Sequence, residues 1–330
     1  MTVQYIRQVE ATVNGVVVRS DGDTGLRIQF ATKQFTVGTP AHCNIIITNP
    51  APKTIAAMRK ERAPVTLKAG YADGGMGVIF QGEVLQVRNG RESISDTFVH
   101  ILAKDGDTPR NYATVNKALA SGHTYKDRVN VALDAFKAQG LQPGFIDTLS
   151  TRKFPRNFVA HGMAADLMRE IARANDASWF IQGGKVHLLK SQNTIPGSVH
   201  VINADTGMVW LPEQTIQGVV VKCLLNYNIV PGSKIKLNNS SIQLAPLSPS
   251  IGAGATNELY KDGAPLALSA DGTYKAWVVE HEGDTRGGNY YTNIICAAGE
   301  AIPQTLVSSG YTDQSGTDLP SLVDQLGAAP

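Results

Sequence analysis

Three carboxylates and an imidazole crowd one short stretch of this chain: Glu280, His281, Glu282 and Asp284, in the string EHEGDTRGG. Carboxylates around an imidazole are the donor set of a metal centre, and Glu280 with Glu282 could serve as the acid and base that cleave a glycosidic bond. Spacing argues against both. Neighbours on a strand point to opposite faces, so residues 280–282 cannot converge on one ion, and no second His or Cys pair lies nearby at a zinc spacing. Placement so close together on one strand also makes Glu280 and Glu282 poor partners across a sugar. The reading is a polar hairpin with Asp284 and Arg286 at a turn or a subunit contact. No catalytic, cofactor-binding or metal-ligating residue is assigned, and no cofactor is expected.

Other chemistries find even less support. No G-x-S-x-G elbow, H-E-x-x-H pair or P-loop occurs. The glycines at 252 and 254 in SIGAGATN lack the third glycine and following helix of a dinucleotide site, so they read as a loop. Asp21, Asp23, Asp105 and Asp107 stand in DGD strings that lack the twelfth-position Glu of a calcium loop, and they read as turns. His100, His187 and His200 fall inside strand-like runs, where a structural role is the default. Cys43, Cys223 and Cys296 each sit in an apolar run and read as buried free thiols.

The chain has 330 residues, 42% hydrophobic and 18% charged, with a net charge of +2. That length supports a sizeable core divided among two to four domains. Near-balanced charge with no long basic run excludes sequence-specific nucleic-acid binding as a leading function. The opening MTVQYIRQVEATV has no signal-peptide core, and no stretch approaches the roughly 20 apolar residues of a membrane span, so synthesis in a cytoplasm and no membrane insertion are expected.

The elements that would position the polar hairpin are mostly strands. Asn14-Gly15 separates ATV from VVV and predicts a hairpin, and Asn89-Gly90 predicts another between VLQV and TFVHIL. Runs around Ile28, Ile45 to Ile47, and Val65, Leu67 and Ala69 read as further strands. Along GVIFQGEVLQV the apolar phase slips from Val84 to Leu85, which predicts a bulge. After residue 105 the period becomes helical. Thr124 caps TYKDRVNVALDAFKAQG, with Asp127 in its first turn and Gly140 at C′, and a second helix spans 164–174 with Leu167, Met168 and Ile171 on one face. WFIQGGKVHLL reads as a hairpin turning at Gly183-Gly184. Strand signals return beyond Asn193 in SVHVIN and IQGVVVKCLL. They close with residues 274–298, where glycines at 283, 287 and 288 are expected to supply positive φ.

The expected fold class is therefore mostly β with an α+β insert. The domains run 1–105 (first β), 106–190 (insert), 191–300 (second β) and 301–330 (a flexible or partner-docked tail). The first β segment ends GVIFQGEVLQVRNGRESISDTFVHILAKDG and the second TYKAWVVEHEGDTRGGNYYTNIICAAG, a weak internal echo of strand, glycine-bearing turn and return strand.

In order along the chain stand VTLKAGY, IFQGEV, Ser121-Gly122-His123-Thr124-Tyr125-Lys126-Asp127, the hairpin from Trp179 to Lys185, the string from Asp205 to Thr215, GVVVKCLLN with Pro231-Gly232, and HEGDTRG. This ordered set resembles the baseplate hub proteins of contractile-tailed bacteriophages over about residues 20–300; the tail past 300 has no counterpart. The resemblance implies a structural protein, not an enzyme, with two tube-like, β-barrel-like domains flanking an inserted one and assembling as a homotrimer. Six β domains would form a pseudo-sixfold ring joining the tail tube protein to the spike protein, beside other baseplate proteins. DNA would pass transiently through the lumen at genome ejection without sequence-specific binding. The expected location is the virion tail baseplate. Two alternatives from other classes are a tail-associated cell-wall hydrolase and a carbohydrate-binding tail module; aromatics at 7% offer few sugar platforms for the latter.

Overall fold

The computed structural model describes residues 4–22, 24–215, 218–244, 260–261, 264–265, 268–269 and 271–298. Asp23, the loop at residues 252–254 and the tail at 301–330 lie outside the described residues. The first β segment comprises β1 (Arg7–Val13), β2 (Val16–Asp21), β3 (Thr24–Gly25), β4 (Ile28–Phe35), β5 (His42–Thr48), helix α1 (Pro52–Met58), β6 (Pro64–Tyr71), β7 (Gly75–Arg91) and β8 (Thr97–Lys104). There follow α2 (Asp107–Tyr112), β9 (Thr114–Leu119), α3 (Tyr125–Ala138), β10 (Gln142–Ile146), β11 (Phe158–Met163), α4 (Ala164–Ala174), β12 (Ala177–Gln182) and β13 (Lys185–Lys190). The last segment holds β14 (His200–Val201), β15 (Glu213–Thr215), β16 (Gly218–Leu224), β17 (Lys234–Lys236), β18 (Gln243–Leu244), β19 (Tyr260–Lys261), β20 (Ala264–Pro265), β21 (Thr273–Asp284) and β22 (Tyr290–Ala297). The molecule is mostly β, as the sequence leads one to expect; α2, α3 and α4 fall between residues 107 and 174, whereas the short α1 lies within the first β segment.

Local turn chemistry explains several elements. Asn14 and Gly15 take φ of 49° and 78°, and Gly183 and Gly184 take 57° and 71°, the doubly left-handed pairs that a two-residue hairpin with right-twisted strands requires. Thr124 accepts from the Asp127 N–H while the Asp127 carboxylate accepts from the Thr124 N–H, so a capping box starts α3. Gly140, at φ 90°, follows its end. The slip in GVIFQGEVLQV is a bulge: β7 pairs with β8 through Val84–Ala103 and then Gln86–Leu102, leaving Leu85 exposed. The hairpin expected at Asn89-Gly90 is not there. β7 runs on through both residues, Gly90 faces Phe98, and the chain reverses at residues 92–96. There Ser93 and Ser95 donate to the Asp96 carboxylate and Asn49 donates to it from β5's end, a side-chain network that outcompetes the Asn-Gly signal.

The main sheet runs β18-β15-β16-β22-β21-β4-β5-β8-β7-β6-β1-β2-β3, with β17 also on β21 and β14 on β17. It is open: the strands form no closed barrel among the described residues. Its central feature is the antiparallel pairing of β4 with β21, from Val278–Phe35 to Asp284–Gln29, which joins the early strands to the late ones. Buried residues gather in separate clusters. One is built on Ile28, Phe30, Ile45, Leu67, Phe80 and Ile101, one on Val129, Phe136, Met168 and Leu188 between the helices and β12–β13, and one on Val221, Ile235, Val279 and Ile294. Tyr290 and Leu225, late in sequence, belong to the first of these.

Candidate functional site

The polar string EHEGDTRGG forms the end of β21 and the turn into β22, and the pleat separates its side chains as period-two geometry demands. Glu280 and Glu282 lie on the face opposite His281, where each is neutralised from a neighbouring strand: Lys33 Nζ is 2.7 Å from Glu280 and Lys222 Nζ 3.0 Å from Glu282. His281 points the other way, 1% exposed, with Nδ1 2.9 Å from the Thr292 hydroxyl. Burial pushes its pKa down to about 4, so the ring is neutral. The acids and the imidazole are thus on opposite faces. Among the described residues no group of three or more His, Cys, Asp or Glu side chains converges as a metal site would.

Asp284 has a different role. Its carboxylate accepts from Arg27 at 2.7 Å (Nη2) and 3.1 Å (Nε), from Gln29 Nε2 at 3.1 Å, and from the Arg286 N–H at 2.9 Å. Burial works to raise its pKa, but the Arg27 hydrogen bond and the backbone N–H groups outweigh that and hold it below the ordinary carboxylate range. Thr285 completes the seam: its N–H donates to Ile28 O, and its hydroxyl accepts from the Ile28 N–H.

From the opposite side Arg7 reaches into the turn. Its guanidinium donates to the carbonyls of Asp284 (2.8 Å) and Gly288 (2.9 Å) and to that of Gly287. It lies 5.2 Å from the Tyr290 ring centroid. Tyr290 is 1% exposed and packs edge-on against Phe30 and Tyr71, while its hydroxyl accepts from the Gly70 N–H and lies 2.9 Å from both Gly70 O and Gln8 O. One proton serves two acceptors there. A buried Tyr satisfied in this way contributes area and a fixed polar anchor together. Burial pushes its phenol pKa upward.

The turn glycines are not where left-handed backbone is needed. None of Gly283, Gly287 and Gly288 has φ in the positive region, which corrects the expectation from the sequence. Close approach is the reason at two of them: a Cβ on Gly283 would stand 2.4 Å from Phe30 Cζ and 2.8 Å from Tyr290 Cδ2, and one on Gly287 2.4 Å from Asp284 Oδ2. A Cβ on Gly288 meets nothing within 4 Å.

The remaining residues singled out by sequence have plain structural places. Cys43, Cys223 and Cys296 are buried free thiols. His187 accepts from the Phe145 N–H and stacks on Phe180, and burial pulls its pKa down to about 4. Asp105 is more than a turn residue: it is 4% exposed and accepts from the Gly183 N–H at 2.7 Å, pinning the tip of the β12–β13 hairpin to the end of β8. Burial raises its pKa to about 7. At the hairpin's other end Lys275 of β21, 1% exposed, donates to Lys190 O at 2.9 Å. Arg7, Arg27 and the reach of Tyr290 were invisible to sequence reading, being more than 200 residues from their partners or buried among them. The site is an intramolecular clasp.

Residues 13–244 match a family model described as baseplate hub gp41. No curated protein matches the chain in sequence. Among solved structures, the 43 kDa tail protein of prophage MuSo2 from Shewanella oneidensis superposes with a TM-score of 0.57 at 8% identity, covering 89% of this chain and 98% of that one. The tail protein from Neisseria meningitidis MC58 gives 0.56 at 9% identity, with 91% and 99% covered. At such identities these neighbours speak to the fold.

Proposed function

Because this chain belongs to the baseplate hub gp41 family, a phage tail structural family, we propose that it acts as a homotrimeric hub in the virion tail baseplate, joining the tail tube to the spike. In this reading residues 1–105 and 191–300 are two β domains flanking the insert at 106–190, and three subunits set six β domains around a pseudo-sixfold ring. The lumen is the path of DNA at ejection, without sequence-specific contacts. Synthesis takes place in the host cytoplasm.

The observation that carries the reading is the β4–β21 junction. A ring that matches sixfold to threefold symmetry needs two β units per subunit held at a fixed mutual angle, and pairing them edge to edge within one sheet, clasped by Asp284, Arg27, Arg7 and Tyr290, supplies that rigidity. The echo between the two long hairpins supports it too: β7–β8 and β21–β22 each carry a register shift in an otherwise regular ladder. Closed cyclic assembly through unlike surfaces gives a finite ring. The ion pairs that occupy Glu280 and Glu282 favour a structural role for those acids over hydrolysis.

Sedimentation equilibrium of the protein alone and with its spike partner tests the proposal. A trimer in either case, with threefold class averages in electron micrographs, is the expected outcome. A strict monomer in both, or a twofold dimer, overturns it.

A further inference from the structure

One concentration of charge without ion pairs lies on the insert. Arg152, Lys153 and Arg156, in the string TRKFPRN, are all exposed, and Lys126 is exposed beside them, sharing a cleft with Thr151. None of the four forms an ion pair among the described residues. The acid nearest in that cleft, Asp147, is already engaged by the Asn193 amide and the Lys190 and Thr148 N–H groups.

The loop is anchored. Phe154 donates its N–H to His123 O at 2.9 Å and accepts from the Gly122 N–H at 2.6 Å, while Asn157 accepts from the Ser121 N–H at 2.9 Å. The Phe154 ring stacks on His123 and forms one wall of a cage around the Arg128 guanidinium, 4.0 Å from its centroid, with Phe158 opposite at 3.8 Å. His123 accepts from Arg128 through Nε2, and its Nδ1 faces Ala120 O at 2.8 Å, so both ring nitrogens are engaged. The anchored Phe154 fixes the backbone from which the flanking cations project, which lowers the ordering cost of receiving an anionic partner.

The sequence contains a matching anion. Residues 299–330 carry Glu300, Asp313, Asp318 and Asp324 and no Lys or Arg, a net charge of −4 that leaves +6 on the rest of a chain summing to +2. Thirty-two residues span up to about 100 Å when extended, enough to reach the loop on the same subunit or a neighbouring one. We propose that the anchored basic loop at 152–156 is the docking surface for the acidic segment 299–330 of this same protein. Leu319, Leu322, Val323 and Leu326 interleave with the acids of that segment and give it apolar contacts to add to the charge match. An exposed charge match of this kind is screened by salt.

Zero-length carbodiimide crosslinking of the full-length chain, read by mass spectrometry, tests this. Wild type should yield Lys153 or Lys126 joined to Asp313, Asp318 or Asp324, and lose those products at high salt. The variant R152E/K153E/R156E with K126E should abolish them, and adding D313K/D318K/D324K should restore crosslinks with the partners reversed. Mixing isotope-labelled and unlabelled protein tells docking within a subunit from docking between subunits, and either supports the proposal. Tail crosslinks that map elsewhere and ignore the charge reversal overturn it. So does retardation of duplex DNA at physiological ionic strength that depends on the same four cations while the tail gives no crosslink to them, which would assign the surface to nucleic acid.

Discussion

Three glycines in one turn offer a graded perturbation whose order follows from what each added methyl would strike. At Gly283 the Cβ meets the Phe30 ring at 2.4 Å and the Tyr290 ring at 2.8 Å, both side chains about 1% exposed and packed edge to face. Neither ring can retreat without losing its own contacts, so Gly283→Ala carries the cost of an overpacked core, about 2–3 kcal/mol. At Gly287 the obstacle is Asp284 Oδ2 at 2.4 Å, the oxygen that Arg27 and Gln29 bind. A carboxylate can rotate, at the expense of part of one charge-assisted bond, so Gly287→Ala costs about 1–2 kcal/mol. Gly288 faces open space and has no positive φ, so Gly288→Ala should lie within about 0.5 kcal/mol of wild type, with the reduced freedom of its unfolded chain offsetting any small strain. At about 2 °C per kcal/mol for a chain of this size, thermal melts followed by near-ultraviolet circular dichroism should rank 283 below 287 below 288, with the first down by ~4–6 °C. If Gly288→Ala were the most damaging, or if all three fell together, the turn would depend on backbone conformation and the argument from close approach would be refuted.

Two pH dependences accompany this series. The folded-state pKa of Asp284 lies below its ordinary value, so its stabilisation is present above the unfolded carboxylate range and is lost as pH falls through the lowered value; Asp284→Asn should be less stable at neutral pH and lose that part of the acid limb, whereas parallel acid titrations of both proteins would show the clasp carries no such linkage. Burial depresses the pKa of Lys275 to about 7 against an ordinary 10.5, so the unfolded state binds more protons between those values and stability should climb as pH rises across that window; Lys275→Met should flatten the climb, and an unchanged slope in urea titrations at several pH values would count against the buried amine.

What could be read from the sequence was whatever nearest neighbours determine. Asn14-Gly15, Gly183-Gly184, the Thr124–Asp127 box and the apolar slip at Leu85 each specify their own geometry within a few residues, and each is found. Asn89-Gly90 failed because a competing turn followed it by two residues, with Ser93, Ser95 and Asp96 supplying more hydrogen bonds and Asn49 arriving from another strand. The string EHEGDTRGG was legible as a polar hairpin, but not the reason for its acids. Arg27 is 257 residues from Asp284, and the carbonyls that Arg7 gathers are about as far from it in sequence. No periodicity records such distances. The turn glycines were misjudged for a related reason: a glycine required by a ring packed against it looks, in sequence, the same as one required by its own φ.

The pairing of β4 with β21 also sets a timetable. During synthesis β4 emerges some 240 residues before the strand that covers its edge, and the first cluster lacks Leu225 and Tyr290 until the last described hairpin has been made. The early strands therefore spend most of translation with one open edge and an unfilled core, the state in which strands recruit the wrong partner. Closing that gap over so long a loop is slow, since the entropy of bringing distant segments together must be met before their contacts repay it. Completion of the N-terminal half is thus a late event governed by the C-terminal half, so a chain truncated before β21 lacks what it needs to close the sheet it has already begun.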